Sequence, residues 1–544
     1  MHKSMTILVV AITVAMSVPA FAELQNVQVG GQIEFRGRWY HQAFETGRPT
    51  PQLRILQQHL PNRPIGVPAW PAIAPPVGVL SWMRYDDQGN DWHFYERATS
   101  LNVAADFTDN VKAFIEFYDF DKWGTDFRSN YLTGIDGAAD TGDDVEVLQA
   151  YVDMDELFGA PLRLRIGRQV MQFRRDLDCF LLGGKTSPTQ RFSYDGVRAT
   201  YKATEDLTLD AWWMKLEERS PGEEDGDTDF YGLYGTYSGI EPLSISAYWL
   251  YIRDAQKVND TNNTWIGERV EDILGIDDYP ITQIHTVGLR FFGKSNQFDY
   301  NLEVAYQFGD AGKLGQMFQL PMWALSNVMY GDDDAEYDNM ALDATLGYTF
   351  DTAWHIRPYI SGCYFEGEDN RDISFWDWVN PFQRPEASVS FNRLFGDKNY
   401  CPVLNDNADM TNYWQVGGGV TMAPTEKLAW IVRAYNTWVD ETFDWPAYLS
   451  VPKTRWWIPT GRLLIAPPLS FWTKESDDNL GFSVDTILKY SYNSNLTFLL
   501  YYGHLFPGDG VRDGAYINWY GNMMNGGIDD NGADYVFWWT ILKF

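Results

Sequence analysis

The sequence predicts an all-β protein, a transmembrane antiparallel up-and-down β-barrel of about eighteen strands. Three observations lead there. Segments of about ten residues alternate apolar and polar along the whole chain. The connections between them alternate short and long. An export leader precedes them, and no later stretch is long and apolar enough for a spanning helix.

The alternating, β-rich segments fall near 27–41, 94–107, 111–120, 145–153, 162–170, 193–203, 207–216, 229–238 and 243–252. They continue near 283–292, 298–308, 340–350, 355–366, 411–422, 427–438, 479–491, 495–505 and 533–544. In Asn301–Phe308 the even positions are apolar and most odd ones polar, and in Leu162–Ile166 the two arginines share one face. Such a period of two places one set of side chains on each side of a sheet.

Short turns fall at 108–110, 204–206, 239–242, 293–297, 351–354, 423–426 and 492–494, with a longer one at 154–161. Between them lie long connections at 42–93, 121–144, 171–192, 217–228, 253–282, 309–339, 367–410, 439–478 and 506–532. Outer-membrane barrels have this asymmetry, with tight periplasmic turns and long outer loops. An even strand count then puts both termini on the periplasmic side.

The leader reads as residues 1–22. His2 and Lys3 open it, an apolar run follows from Met5 to Val18, and Pro19-Ala20-Phe21-Ala22 supplies a cleavage site before Glu23. The run is too short for a spanning helix, which takes roughly 20 residues. Residues 23–544 then form a single barrel domain, with no hinge or low-complexity tract along them. Mean hydropathy is −0.34, as expected when one face of every strand is polar. Aromatic residues make up 16% of the chain, and Trp and Tyr suit a membrane–water boundary.

The formal charge is −32, and loss of the leader removes Lys3 and no acid, giving −33. That acidity excludes nucleic acid as a partner and argues against a polybasic membrane-surface protein. Three cysteines (Cys179, Cys363, Cys401) with no C-x-x-C exclude a disulfide scaffold and a haem or metal motif. A Cys363–Cys401 bridge stays open. No cofactor is called for.

A spanning sheet must close, because unpaired edge groups cannot be hydrated in hydrocarbon. The first strand must therefore meet the last. The chain ends on Phe544, with Leu542, Thr540, Trp538 and Val536 at alternate positions before it. A terminal Phe with Leu542 and Trp538 resembles the signal read by the outer-membrane assembly machinery. That machinery and outer-membrane lipids are the expected partners.

The stretch Leu162-Arg163-Leu164-Arg165-Ile166-Gly167-Arg168-Gln169 is followed by Arg191-Phe192-Ser193-Tyr194-Asp195-Gly196-Val197-Arg198, with Gln149-Ala150-Tyr151-Val152-Asp153 upstream. This arrangement resembles the alginate-export family of outer-membrane porins, in which an RxGRQ-type strand precedes a loop and a FDGVR-type strand. The resemblance implies an eighteen-stranded barrel acting as a porin. It does not carry alginate over as the solute, because relatives include general and specialised porins.

A barrel of this size leaves an aqueous lumen, whose selectivity comes from pore width and lining charge. Candidate pore-lining residues are Arg36, Arg38, Arg163, Arg165, Arg168, Arg198, Glu116, Asp210 and Glu303, with Glu34, Lys202, Arg290, Arg357, Asp343, Asp485 and Lys489 on the same face. Arg163, Arg165, Arg168, Arg174, Arg175, Lys185, Arg191 and Arg198 gather on strands 5 and 6 and in the loop joining them. Folding of loop 171–192 inward would make a positive constriction favouring anions, since the guanidinium fork takes two carboxylate oxygens.

Acids collect at Glu217–Glu218, Glu223–Asp225, Asp332–Asp334, Glu336, Asp338, Asp529–Asp530 and Asp534, without the spacing of a calcium loop. They read as solvated loop surface. The Pro-rich stretch 61–76 reads as a stiff cover over the pore. Seven histidines without G-x-S-x-G or H-E-x-x-H give no support to an enzyme.

The expected function is a passive channel for small hydrophilic or anionic solutes. The alternatives are a dedicated transporter of an acidic saccharide and a structural surface or coat protein. No trimer signature is present, and a homo-oligomer stays open.

Overall fold

The computed structural model describes residues 25–43, 90–123, 145–171, 173, 181–182, 192–218, 227–255, 281–311, 336–367, 390–396, 398–403, 410–442, 444–446, 448–450, 462–464, 473–475, 477–512 and 532–544. The leader, the Pro-rich stretch, Arg174, Arg175, Cys179, Lys185 and Arg191 lie outside them.

The barrel strands are β1 (Asn26–Ala43), β2 (Asn90–Thr108), β3 (Val111–Lys122), β4 (Glu146–Met154), β5 (Leu162–Gln169) and β6 (Tyr194–Lys202). Then come β7 (Leu207–Glu217), β8 (Thr228–Ile240), β9 (Leu243–Asp254), β10 (Thr282–Ser295), β11 (Phe298–Asp310) and β12 (Glu336–Tyr348). The wall ends with β13 (Arg357–Phe365), β14 (Tyr413–Thr425), β15 (Leu428–Val439), β16 (Asn479–Ser491), β17 (Leu496–Pro507) and β18 (Ala533–Lys543). Each expected strand corresponds to one observed strand. Two small ribbons, 444–446 with 473–475 and 448–450 with 462–464, stand in the expected long loop after β15.

Every strand pairs antiparallel with its chain neighbour, and β18 returns to β1 over Gln32↔Lys543 to His41↔Asp534. The eighteen-stranded sheet therefore closes on itself. At the seam Gly31 and Phe544 exchange two backbone hydrogen bonds, N to O at 2.9 Å and 3.1 Å. A side chain at residue 31 would strike Ser100 O at 2.5 Å and the Phe544 ring at 2.6 Å. Glycine there leaves room for the terminal ring.

Closure fixes the two faces. Outward positions are apolar and exposed: Phe35 on β1, Leu101 on β2, Ile115 on β3, Leu233 on β8, Leu302 on β11 and Leu500 on β17. Their lumen-facing neighbours Glu34, Arg36, Ser100 and Glu116 are buried. Such an outward apolar wall belongs in lipid.

Aromatic rings collect outside at both rims. Toward the long loops, His285 stacks between Tyr251 at 4.3 Å and Phe308 at 5.0 Å, and Trp249 and Tyr306 extend the row. Toward the short turns, Tyr348 meets Phe298 at 4.8 Å and Phe350 at 4.9 Å. These are the two girdles of a membrane barrel.

Some loop acids prove to be strand residues. β12 starts four residues earlier than the alternation suggested, so Glu336 and Asp338 lie in it, and Asp534 lies in β18. The outward Asp338 and Asp534 carboxylates accept the hydroxyls of Tyr306 and Tyr502. They belong to the aromatic rim rather than to solvated loop.

Candidate functional site

Around the lumen, toward the short turns, cations and carboxylates pair across neighbouring strands. Arg165 donates Nε and Nη2 to both Asp153 oxygens at 2.7 Å and lies over the Tyr151 ring at 3.8 Å. Arg198 reaches Asp210 at 2.8 Å, and Thr200 donates to the same oxygen. Arg290 donates to Asn301 at 2.8 Å and stands 3.8 Å from Glu303, which also accepts from Tyr248 at 3.1 Å. Arg433 meets Asp485 at 2.8 Å, and Arg357 meets Asp299. Gln149 donates to Glu116 at 2.7 Å, and Arg163 pairs with Asp155 at the mouth.

At the seam, Arg36 pairs with Glu34 and lies over Trp539, while Arg38 pairs with Glu96 at 3.2 Å. Trp539 donates to Glu34 at 3.0 Å, tying β18 to β1 inside the barrel.

Eight of the nine candidate pore-lining residues therefore face the lumen. Arg168 does not. It shares the outward parity of exposed Ile166, whereas Gln169, on the other face, is buried in the lumen. Its fork holds both oxygens of Asp195 at 2.8 Å and 2.7 Å.

Cross-strand register explains the motif pair. Gly167 stands opposite Gly196, Arg168 opposite Asp195, and Gln169 opposite Tyr194. Gly167 has φ +124°, and an added Cβ would lie 2.2 Å from Ala150 O, so only glycine fits. The RxGRQ and FDGVR strands are two halves of one structural clip.

The positive constriction expected from loop 171–192 is modified by this geometry. Of this loop, the described residues Met171, Leu181 and Leu182 are buried in the main apolar cluster. Yet Arg163, Arg165 and Arg198 are each matched by an aspartate, because neighbouring strands carry acids at the same level.

A second inward segment was not anticipated. Residues 390–396 and 398–403, between β13 and β14, pack inside the barrel. Phe391, Leu394, Tyr400, Cys401 and Val403 belong to the same cluster as Leu181 and Leu182. Gln307 on β11 holds the segment at both ends of its amide: Nε2 donates to Asn392 O at 2.8 Å, and Oε1 accepts from Asn392 N at 2.7 Å. Phe395 N donates to Leu181 O at 3.0 Å, beside a parallel bridge between Leu182 and Phe395.

Two loops from well-separated parts of the wall thus meet across the lumen. The one available signal was Phe391-Asn392-Arg393-Leu394-Phe395, three large apolar residues in a connection read only as a long loop.

Asp343 on β12, fully buried, anchors this septum by accepting from Lys398, Tyr400 and Asn301. Burial, reinforced by that carboxylate, holds the Tyr400 phenol well above its usual range, so it stays a donor. No disulfide joins Cys363 and Cys401; both are buried thiols. Among the described residues no group of three or more His, Cys, Asp or Glu is arranged to hold a metal.

A closed barrel of eighteen strands with this paired lumen is also where the family comparison falls. The family model described as Alginate export matches residues 84–518. The chain belongs to the Alginate export family. Its barrel is of the outer-membrane type, and the match leaves out β1 and β18, the two strands whose pairing completes the wall.

No curated protein matches the chain. Among solved structures it is similar to Pseudomonas aeruginosa OccK2 (OpdF) in complex with glucuronate, at 8% identity over 96% of this chain and 99% of that one, TM-score 0.48. It is similar to P. aeruginosa OccK5 (OpdH), at 12% identity over 95% and 98%, TM-score 0.43. Acinetobacter baumannii OccAB3 gives 10% identity over 95% and 99%, TM-score 0.44.

Proposed function

We propose that this member of the Alginate export family is an outer-membrane porin through which small hydrophilic solutes diffuse passively, with a preference for anions. The observation that carries the porin reading is the paired lining of the lumen. Arg165–Asp153, Arg198–Asp210 and Arg433–Asp485 give solutes hydrogen-bonding partners of both signs along a wall with an apolar exterior. Polar side chains that replace part of a solute's hydration shell let it enter without a large desolvation cost. No catalytic step is assigned to these residues, and outer-membrane lipids surround the barrel.

Single-channel recording of the refolded protein in a planar bilayer under a salt gradient tests the reading. Discrete conductance steps with a reversal potential of anionic sign are expected. A correctly folded barrel that never conducts would exclude it and favour a structural surface role. Replacing Arg165 and Arg198 together by alanine leaves Asp153 and Asp210 uncompensated in the lumen. That variant is expected to move the reversal potential toward cations, and an unchanged potential would remove these arginines from selectivity.

The family's description supports a second reading, a transporter dedicated to an acidic saccharide. Block of the current by a short polyuronate discriminates the two. Saturation with concentration indicates a binding site in the lumen, and the absence of block leaves simple diffusion.

A further inference from the structure

The lipid-facing wall carries a row of charges where apolar side chains would be expected. Arg168 on β5 stands opposite Asp195 on β6, which stands opposite Lys215 on β7. Lys215 in turn faces Asp229 on β8, and Asp229 faces Arg253 on β9. Residues directly opposite in an antiparallel ladder share a face, so the five form one row. That row is outside the barrel: Arg168 has the parity of exposed Ile166, and Lys215 that of exposed Trp213.

Two residues nearer the membrane, the neighbouring row on β7 to β10 is Trp213, Tyr231, Tyr251 and His285. Its rings stack, Tyr231 on Tyr251 at 5.8 Å and Tyr251 on His285 at 4.3 Å. This is the girdle of the long-loop side, and the charged row stands just beyond it, at headgroup depth in the outer leaflet. The rim differs on β11 to β18. There, outward strand positions beside the long loops include Asp338 and Asp534 under tyrosine hydroxyls, with no lysine or arginine among the described residues.

Arg168 ends the row, with 43% of its side chain accessible. Nε and Nη2 donate to Asp195, and Nη1 donates to Val147 O at 3.3 Å. Three of the five guanidinium N–H groups are used in this way, and two remain. Lys215 is set by Asp227 at 2.7 Å and Asp229 at 2.8 Å, while Trp213 Nε1 donates to Asp229 at 3.0 Å. An exposed ion pair is worth little by itself. Such carboxylates orient the cations without saturating them, and a phosphate can share the fork.

We propose that this row is a docking site for the phosphorylated glycolipid of the outer leaflet. Its phosphates meet Arg168, Lys215 and Arg253, and its acyl chains lie along the apolar wall below. Position selects this occupant: the row faces outward beside the long loops, where outer-leaflet lipids surround the barrel. Clustered cations at headgroup depth recognise anionic headgroups. The site is separate from the lumen and does not depend on what passes through it.

The test is native mass spectrometry of the refolded protein in detergent, titrated with bis-phosphorylated lipid A, its dephosphorylated form and phosphatidylglycerol. Lipid A with its phosphates is expected to bind about tenfold tighter than either of the others. Arg168→Gln combined with Asp195→Asn removes the pair without stranding a charge, and Arg253→Gln removes the far cation. Both are expected to lose most of that preference, and Arg168→Lys to keep part of it. Heat-modifiable migration on a gel shows that each form is folded.

Equal binding of lipid A with and without phosphates overturns the proposal. Wild-type preference in both glutamine variants overturns it too, since the lipid would then sit elsewhere on the barrel. Phosphatidylglycerol binding as tightly as lipid A removes the glycolipid as the occupant, because any anionic headgroup would then serve.

Discussion

Replacing Gly31 by valine is expected to leave the barrel unclosed, with most of the refolded protein failing to reach the compact, heat-modifiable form. The side chain would have to occupy space held by Ser100 O, 2.5 Å from an ideal Cβ, and by the Phe544 ring at 2.6 Å. A backbone oxygen cannot rotate away, and moving it breaks the β1–β2 ladder. Moving Phe544 instead breaks the hydrogen bonds that end the β1–β18 seam.

Overpacking in an ordinary core costs about 1–3 kcal/mol. Here the cost falls on the one pairing that joins the two ends of the chain. An unclosed sheet leaves unpaired backbone groups facing hydrocarbon, each costing several kcal/mol. Gly30→Ala is the comparison, because a Cβ there meets the Asn102 side chain at 3.1 Å and Phe544 O at 3.2 Å. It is expected to fold with a modest loss of yield. If Gly31→Val refolds with the efficiency of the wild type, the account of the seam is wrong.

Asp485→Ala is expected to be strongly destabilising, by about 3–5 kcal/mol, the usual cost of stripping a buried cation of its counter-ion. Asp485 is 1% exposed, and its Oδ2 accepts from Arg433 Nε at 2.8 Å. Alanine would leave Arg433 charged among Tyr435, Tyr501 and the wall. Arg433 is itself 18% exposed, so water reaches part of it and the loss falls toward the lower end of that range.

Equilibrium unfolding in urea, in a detergent that supports refolding, gives the number. Combining the change with Arg433→Met removes the orphaned charge and is expected to restore part of the stability. A single variant within about 0.5 kcal/mol of the wild type, as for an ordinary surface site, would show that the pair is not an energetic unit.

How far the sequence alone reached can be seen on individual residues. Arg163 and Arg165 were assigned to the lumen by a period of two, and they lie there, because a strand has no other way to divide its side chains. Arg168 was grouped with them through the positive charge gathered on strands 5 and 6 rather than through its parity. Its position is settled by Asp195 across the strand, 27 residues away in the chain. The carboxylates opposite Arg165 and Arg198 were visible as residues but not as partners, because pairing depends on register between strands.

The septum was missed for a related reason. Phe391–Phe395 has no period that distinguishes a loop lying over the mouth from one folded inside. Gln307 and Asp343, which hold it in the lumen, lie on strands far earlier in the chain.

The sequence by itself determined the strand count, the sorting of short turns and long loops, the inner and outer faces, and the need for the first strand to meet the last. Each follows from a local rule: alternation, turn chemistry, and the impossibility of unpaired backbone in hydrocarbon. Only the tertiary structure decided which charges neutralise one another, which loops enter the lumen, and that Gly31 receives Phe544. Those outcomes depend on contacts between residues distant in the chain, and no local pattern encodes a distance across the barrel.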